Sequence, residues 1–251
     1  MNNKIKLQLM GFLLLLIATT GMAQKSYKIH AHNDYEKEFP FWAAYVYGAN
    51  SIEADVFLKD ETLYVTHAES KIDKDNTLQT LYLKPIAELS KTKKLRDLQL
   101  LIDVKSEAYA TLEKIVEVVK ENPELRTNIK LHIVISGNRP APEDYKNYPD
   151  FIQFDHQSLD DLDKIDLSKV AMISLSFGNY STWNGKSQLK ASDLEKVKEV
   201  IKKAHKARKP FRFWGTPDTE TAWSTFAKLG VDFINTDDPA KATDFLKQVE
   251  D

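Results

Sequence analysis

The feature that most constrains this chain is an alternation of form: short apolar runs are followed, again and again, by longer polar or amphipathic ones. Strand-like runs occupy residues 27–32, 51–58, 98–104, 129–135, 151–154, 171–177, 211–214 and 232–235. Most are near-continuously apolar, as parallel strands covered on both faces tend to be. A further run at 63–67 reads as an extra strand or strand extension beside the second. Helical patterns lie between. Residues 108–120 place Leu112, Ile115, Val116 and Val119 on one face, and 192–207, 221–229 and 239–249 continue the series. Ser192 with Glu195 three residues on predicts a capping box at the start of the second of these. Repeated strand–helix units predict an α/β fold, a TIM-type (β/α)8 barrel, with an open doubly wound sheet as the competing architecture. No glycine-rich phosphate loop follows any strand, which weakens a nucleotide-binding version of that sheet.

Domain organisation follows from what surrounds this series. Lys4 and Lys6 precede an apolar run over 7–17, and small residues lead to Gly21-Met22-Ala23. That pattern predicts a secretory signal peptide over 1–23, with a secreted or periplasmic product. The run is too short for a transmembrane anchor, which needs ~20 apolar residues. Residues 24–251 contain no low-complexity linker and match one barrel of roughly 250 residues. With no cysteine, the chain has neither disulfides nor thiolate chemistry, and its stability rests on a buried core. A formal charge of −2 leaves no basic footprint for nucleic acid.

Chemistry concentrates at the ends of the predicted strands. In Ser51-Ile52-Glu53-Ala54-Asp55-Val56, alternation points Glu53 and Asp55 to the same face. Two carboxylates side by side in an apolar strand are costly to bury unpaired. A divalent cation resolves that cost, and all-oxygen ligation favours Mg²⁺ or Ca²⁺ over zinc. The competing account is an acidic face that meets solvent or pairs with lysines. Asp103 ends the next long strand in phase with Lys105 and is a candidate third carboxylate, with Lys105 a candidate phosphate contact. An ordinary Asp–Lys pair at a strand end is the alternative.

Histidines complete the set. His30 and His32 share a face at the end of the first strand, and His67 ends the run after the acidic pair. Cleavage of a phosphodiester needs one group to take a proton and one to give it, and imidazole titrates in the range for both. His132 reads as a core residue in mid-strand, His205 as solvated on a lysine-rich helix, and His156 follows a strand.

Ala31-His32, then Gly48-Ala49-Asn50-Ser51-Ile52-Glu53-Ala54-Asp55, then His67, Asp103-Val104-Lys105 and Gly230-Val231-Asp232 with Thr236-Asp237, come in an ordered series. The series resembles the glycerophosphodiester phosphodiesterase and phosphatidylinositol-specific phospholipase C superfamily. The resemblance implies a metal-dependent phosphoric diester hydrolase. Glu53, Asp55 and Asp103 are then metal ligands, and His32 and His67 are general acid and base. His30, Asn33, Lys105 and Trp214 become substrate contacts, and the substrate a small-molecule or lipid diester. Asn33-Asp34 stands where the family has arginine-glycine, Ala68 where it has aspartate, and Asp103 where it has glutamate. These departures resemble a divergent branch, that of altered inheritance of mitochondria protein 6. They leave the metal and histidines in place and loosen the assignment of a glycerol diester.

Two rivals stand beside this reading. His30-x-His32 is similar to the metal pair of amidohydrolase-type barrels, with His156 as the one further ligand on offer. A secreted, non-catalytic barrel that binds a lipid headgroup or glycan is the other. Aromatics in the loops at 139–148 and 177–187 (Tyr145, Tyr148, Tyr180, Trp183) are able to stack on a sugar or an acyl chain, or simply to pack their loops.

Overall fold

All eight strand-like runs form strands, and the sheet they make closes on itself. The computed structural model describes residues 27–250, so the leader expected at 1–23 lies outside the described residues. In chain order the elements are β1 (Lys28–Ala31), α1 (Trp42–Val46), β2 (Ser51–Lys59), β3 (Thr62–Val65), α2 (Lys84–Lys91), β4 (Leu98–Val104), α3 (Ala108–Lys120) and α4 (Pro123–Arg126). They continue with β5 (Leu131–Gly137), β6 (Ile152–His156), β7 (Val170–Ser176), α5 (Ala191–Lys206), β8 (Phe211–Trp214), α6 (Glu220–Leu229), β9 (Phe233–Thr236) and α7 (Pro239–Glu250).

Strands β1, β2 and β4 to β9 run parallel, each bonded to the next, and β1 closes the ring by pairing β9 on one side and β2 on the other. This is the eight-stranded parallel barrel, with β3 added antiparallel to β2. The β2–β3 hairpin turns at Asp60 and Glu61, whose φ angles of 47° and 59° are those a tight hairpin demands. Closure matters for function because it brings the C-terminal strand ends to one mouth, where barrel enzymes place their chemistry.

Two cores result. The larger lies between sheet and helices; α3 contributes Leu112, Ile115, Val116 and Val119, all buried, as its spacing predicts. Inside the barrel the apolar part shrinks to Leu101, Met172 and Phe233. Above them the interior is polar, with His30, Glu53, Asp155 and Arg212 all buried. Barrels of this type usually fill that space with branched apolar side chains. A polar filling there has to be held by hydrogen bonds and opposed charges.

Several expectations are corrected. Ser192 is not an N-cap: α5 begins at Ala191, and Asp193 in its first turn accepts a hydrogen bond from Ser181 Oγ at 2.8 Å. The fifth strand begins at Leu131, and Ile129 is 90% exposed before it. His132 is not core, because it sits at the lower rim and pairs with Asp97 Oδ1 at 3.0 Å in the open. His156 closes β6 rather than following it. The links from β5 to β6 and from β6 to β7 carry the 3₁₀ turns Pro142–Asn147 and Leu167–Lys169 in place of α-helices. The loop aromatics pack: Tyr145 stacks on Phe154 at 3.8 Å, Tyr180 meets Phe213, and Trp183 meets Phe177 and Phe226. Among the described residues no helix is long and apolar enough to cross a membrane.

Candidate active site

The barrel brings the predicted acids together. The β2–β4 register sets Asp55 directly opposite Asp103, with Glu53 two residues below on the same face of β2. One carboxylate oxygen from each of Glu53, Asp55 and Asp103 lies within 4.8 Å of the other two. Lys105 Nζ bridges the upper pair, at 3.1 Å from Asp55 Oδ2 and 2.9 Å from Asp103 Oδ2. The other oxygen of each, Asp55 Oδ1 and Asp103 Oδ1, is buried without a partner. Burial, then the nearby Glu53 charge, pushes the Asp103 carboxyl up to about 6 against the pull of Lys105.

Beneath this cluster lies a group that sequence reasoning passes over. Arg212, buried on β8, places Nη1 at 3.3 Å from Glu53 Oε2 and 2.5 Å from His30 Nε2, and Nη2 at 3.5 Å from Asp155 Oδ2. Asn235 Oδ1 accepts from the same Nη1 at 3.1 Å. Asp155 is also held by the hydroxyls of Ser136 and Ser174, at 2.9 and 2.7 Å. Burial would drive the Glu53 carboxyl up. His30, Arg212 and His32 overcome it and hold the group well below the usual carboxylate range. Four carboxylates (Glu53, Asp55, Asp103, Asp155) thus meet two full cations, Lys105 and Arg212. Glu53, Asp55 and Asp103 form a group that could hold a divalent ion, with two unpartnered oxygens on offer to it.

The histidines divide by depth. His30 has no exposed surface; its Nδ1 faces Ser51 Oγ at 2.8 Å and its Nε2 faces Glu53 Oε2 at 2.9 Å. Burial and the Arg212 charge lower its pKa to about 4, so the ring is neutral. His30, expected as a substrate contact, therefore has no surface that opens to the mouth. His32, one step nearer the mouth, is about one-third exposed. Its Nδ1 is 2.6 Å from Asp237 Oδ1, and its Nε2 lies 3.8 Å from Glu53 Oε1. Burial lowers the His32 pKa, but the hydrogen bond to Asp237 and the Glu53 charge outweigh it and leave a net upward shift. Asp237 is fixed in turn, since its backbone N–H donates to Asp218 Oδ2 at 2.8 Å. His67 is exposed and anchored through Nδ1 to Asp55 Oδ2 at 2.9 Å, which leaves Nε2 free.

Asn33 adopts a left-handed conformation, φ 50°, and its Oδ1 accepts from the Tyr35 hydroxyl at 2.9 Å. That hydroxyl also lies 2.8 Å from Asp55 Oδ2, which makes Tyr35 a member of the site that no strand pattern points to. Trp214 ends β8 and is 39% exposed. The amidohydrolase reading finds no support: both ring nitrogens of His30 are engaged. Among the described residues the group able to share an ion is Glu53, Asp55 and Asp103, without histidine.

Residues 22–96 match the AIM6-like phosphodiesterase domain, and residues 210–240 match the glycerophosphoryl diester phosphodiesterase family. The chain is thus similar in two separate stretches to phosphodiesterase families and, over most of its length, to altered inheritance of mitochondria protein 6. A homolog of that protein from Arthroderma benhamiae is 29% identical over 255 residues, covering 84% of this chain and 81% of its own. The Kluyveromyces lactis protein is 27% identical over 292 residues, with 84% and 70% covered. Among solved structures, a glycerophosphodiester phosphodiesterase from Parabacteroides distasonis superposes with a TM-score of 0.59 at 17% identity, covering 90% of this chain and 98% of that one. A phosphodiesterase from Oleispira antarctica, solved with its product sn-glycerol-3-phosphate, gives 0.56 at 12% identity, with 88% and 96% covered. At such identities these two establish the barrel fold.

Proposed function

We propose that this chain hydrolyses a small-molecule or lipid phosphodiester, with a divalent ion held by Glu53, Asp55 and Asp103 and with His32 and His67 exchanging the protons. One observation carries the reading: three carboxylates from adjacent strands converge within 4.8 Å beside those imidazoles. The all-oxygen donor set suits Mg²⁺ or Ca²⁺. When bound, such an ion supplies Lewis-acid stabilisation of charge on a phosphate oxygen.

The residues do the rest. Asp237 fixes the orientation of His32 through Nδ1, so Nε2 is the nitrogen that takes or gives a proton. Asp55 does the same for His67, whose Nε2 opens to solvent and incoming substrate. Lys105 offers its ammonium at the mouth, where phosphate negative charge has to be met. Asn33 and Trp214 stand at the rim as contacts for the rest of the diester.

The test is a panel of chromogenic diesters and phospholipids assayed with Mg²⁺ or Ca²⁺, with and without chelator. Hydrolysis that needs the metal and falls by about 10²-fold or more in Asp103→Asn is the expected result. Turnover that survives both chelation and that substitution would overturn the metal assignment. Silence across the whole panel would favour the non-catalytic binding barrel.

A further inference from the structure

Three carboxylates meet at the barrel mouth, yet one of the two oxygens of each is already engaged. Asp55 shows it most plainly. The Tyr35 hydroxyl at 2.8 Å, His67 Nδ1 at 2.9 Å and Lys105 Nζ at 3.1 Å all converge on its Oδ2. Those neighbours fill an oxygen that has about two lone pairs to give. Asp55 Oδ1, on a residue only 1% exposed, has no partner among the described residues. Buried polar atoms are nearly always paired, so an open carboxylate oxygen beside two further acids points to a cation.

Asp103 and Glu53 repeat the pattern with other donors. Lys105 Nζ donates to Asp103 Oδ2 at 2.9 Å, and Oδ1 is buried without a partner. Gly137 admits the carboxyl there: a β-carbon would stand 1.8 Å from Oδ1, and the residue has φ +67°, so only glycine fits. The same glycine lines a neighbouring chamber of about 640 Å³. Glu53 Oε2 is engaged by His30 Nε2 at 2.9 Å and Arg212 Nη1 at 3.3 Å. Arg212 is not free to swing away, because Asn235 and Asp155 hold its guanidinium from two other strands. Glu53 keeps Oε1, 3.8 Å from His32 Nε2.

We propose that this site selects Mg²⁺ over Ca²⁺ by holding each carboxylate to one oxygen, with Lys105 setting that limit on Asp55 and Asp103. Ca²⁺ gathers about six to eight oxygens and often takes both from one carboxylate. Here a second oxygen from any of the three acids has to be pulled away from an ammonium, a guanidinium or an imidazole. Mg²⁺ makes no such demand. It keeps several waters in a tight octahedral shell and takes carboxylate oxygens singly. Three of them leave positions for water and for an oxygen of the phosphate. That an ion binds here at all rests on the metal-dependent diesterase reading; the choice between the two ions rests on the bonds just described.

The choice is measurable on the full chain with no substrate present. Mn²⁺ is bound to the protein and then displaced by Mg²⁺ or Ca²⁺, with release followed by electron paramagnetic resonance. Mg²⁺ should displace it at the lower concentration. Lys105→Met frees Asp103 Oδ2, which has no other bonded partner among the described residues. It should move the ratio of the two affinities toward Ca²⁺ by about tenfold or more. Loss of a positive charge strengthens both divalent ions alike, so the ratio reads geometry. Infrared difference spectra of the parent, Mg²⁺-loaded minus ion-free, make the test without a variant. Widely split carboxylate stretches, which go with one-oxygen ligation, are expected. Preference for Ca²⁺, an unmoved ratio or the narrow splitting of two-oxygen ligation overturns the proposal and leaves the metal reading standing. Failure of every divalent ion to bind removes both. Preference for Mg²⁺ with no diester hydrolysed upholds the ion assignment and removes the hydrolase reading instead.

Discussion

The two sides of the barrel mouth are built on opposite rules. On the side of β1, β2 and β4, each charged group has a charged partner, His32 with Asp237, His67 with Asp55, Lys105 with Asp55 and Asp103, and only the second oxygens of Asp55 and Asp103 stay open. On the side of β5 and β6, an imidazole sits buried with both nitrogens idle and an arginine keeps its Nε unpaired. Even the titration shifts differ in sign, since carboxylates raise His32 while burial and Arg139 lower His156. Proton and charge chemistry rewards groups fixed before substrate arrives. The fold sets the two sectors apart by cross-linking one and giving the links after β5 and β6 3₁₀ turns in place of α-helices.

The comparison can be broken at three depths. The largest effect belongs to the preorganised side: His32→Ala should cost on the order of 10²–10⁴ in kcat/KM on any diester the protein hydrolyses. His132→Ala, at the opposite rim, should leave the rate within about twofold, as surface changes away from a site do. A His32 variant as fast as the parent would dissolve the distinction between the two sides.

Next comes the ion pair under the cluster. Arg212→Met strands Glu53 and Asp155 in the barrel interior, and breaking a buried pair in this way costs about 3–5 kcal/mol. Denaturant unfolding should show that loss, with Arg212→Lys recovering part of it. A loss under about 1 kcal/mol would mean that the polar interior is not held by this arginine.

The smallest effect is the most specific. Because the His156 pKa is lowered on folding, the unfolded chain takes its proton first, and stability should fall as pH drops below about 6.5. The His32 pKa is raised, so its contribution is full below that value and is lost as pH rises through its folded pKa. Unfolding measured at pH 5.5 and 7.5 should therefore show His156→Phe flattening the acid-side fall, and Asp237→Asn steepening it. Equal slopes in the two variants would erase the contrast in sign.

Much of this was legible in the sequence because strands carry a strict two-residue period. That period sets Glu53 and Asp55 on one face, and barrel closure then delivers Asp103 opposite Asp55 without further information. The same period also sets the depth of His30. It shares a face with His32, but the ~6.6 Å between them along the strand carries His30 below the mouth, where it has no exposed surface. Arg212 is visible as a lone charge in a short apolar strand, yet its partners are 159 and 57 residues away, so only the closed ring reveals them. Tyr35 reaches Asp55 from the three-residue 3₁₀ turn Asp34–Glu36, too short for a periodicity to show. The capping box at Ser192 fails because helix starts depend on the path of the incoming loop, and here Ser181 of that loop takes Asp193.

Gly137 also bears on energetics. With one backbone strand separating Asp103 from the neighbouring chamber, an ion on one side and a guest on the other would press on the same atoms. By thermodynamic reciprocity, whatever factor the first guest imposes on the second's affinity is returned unchanged. Loading with metal and filling of that chamber would then be two readings of a single coupling constant.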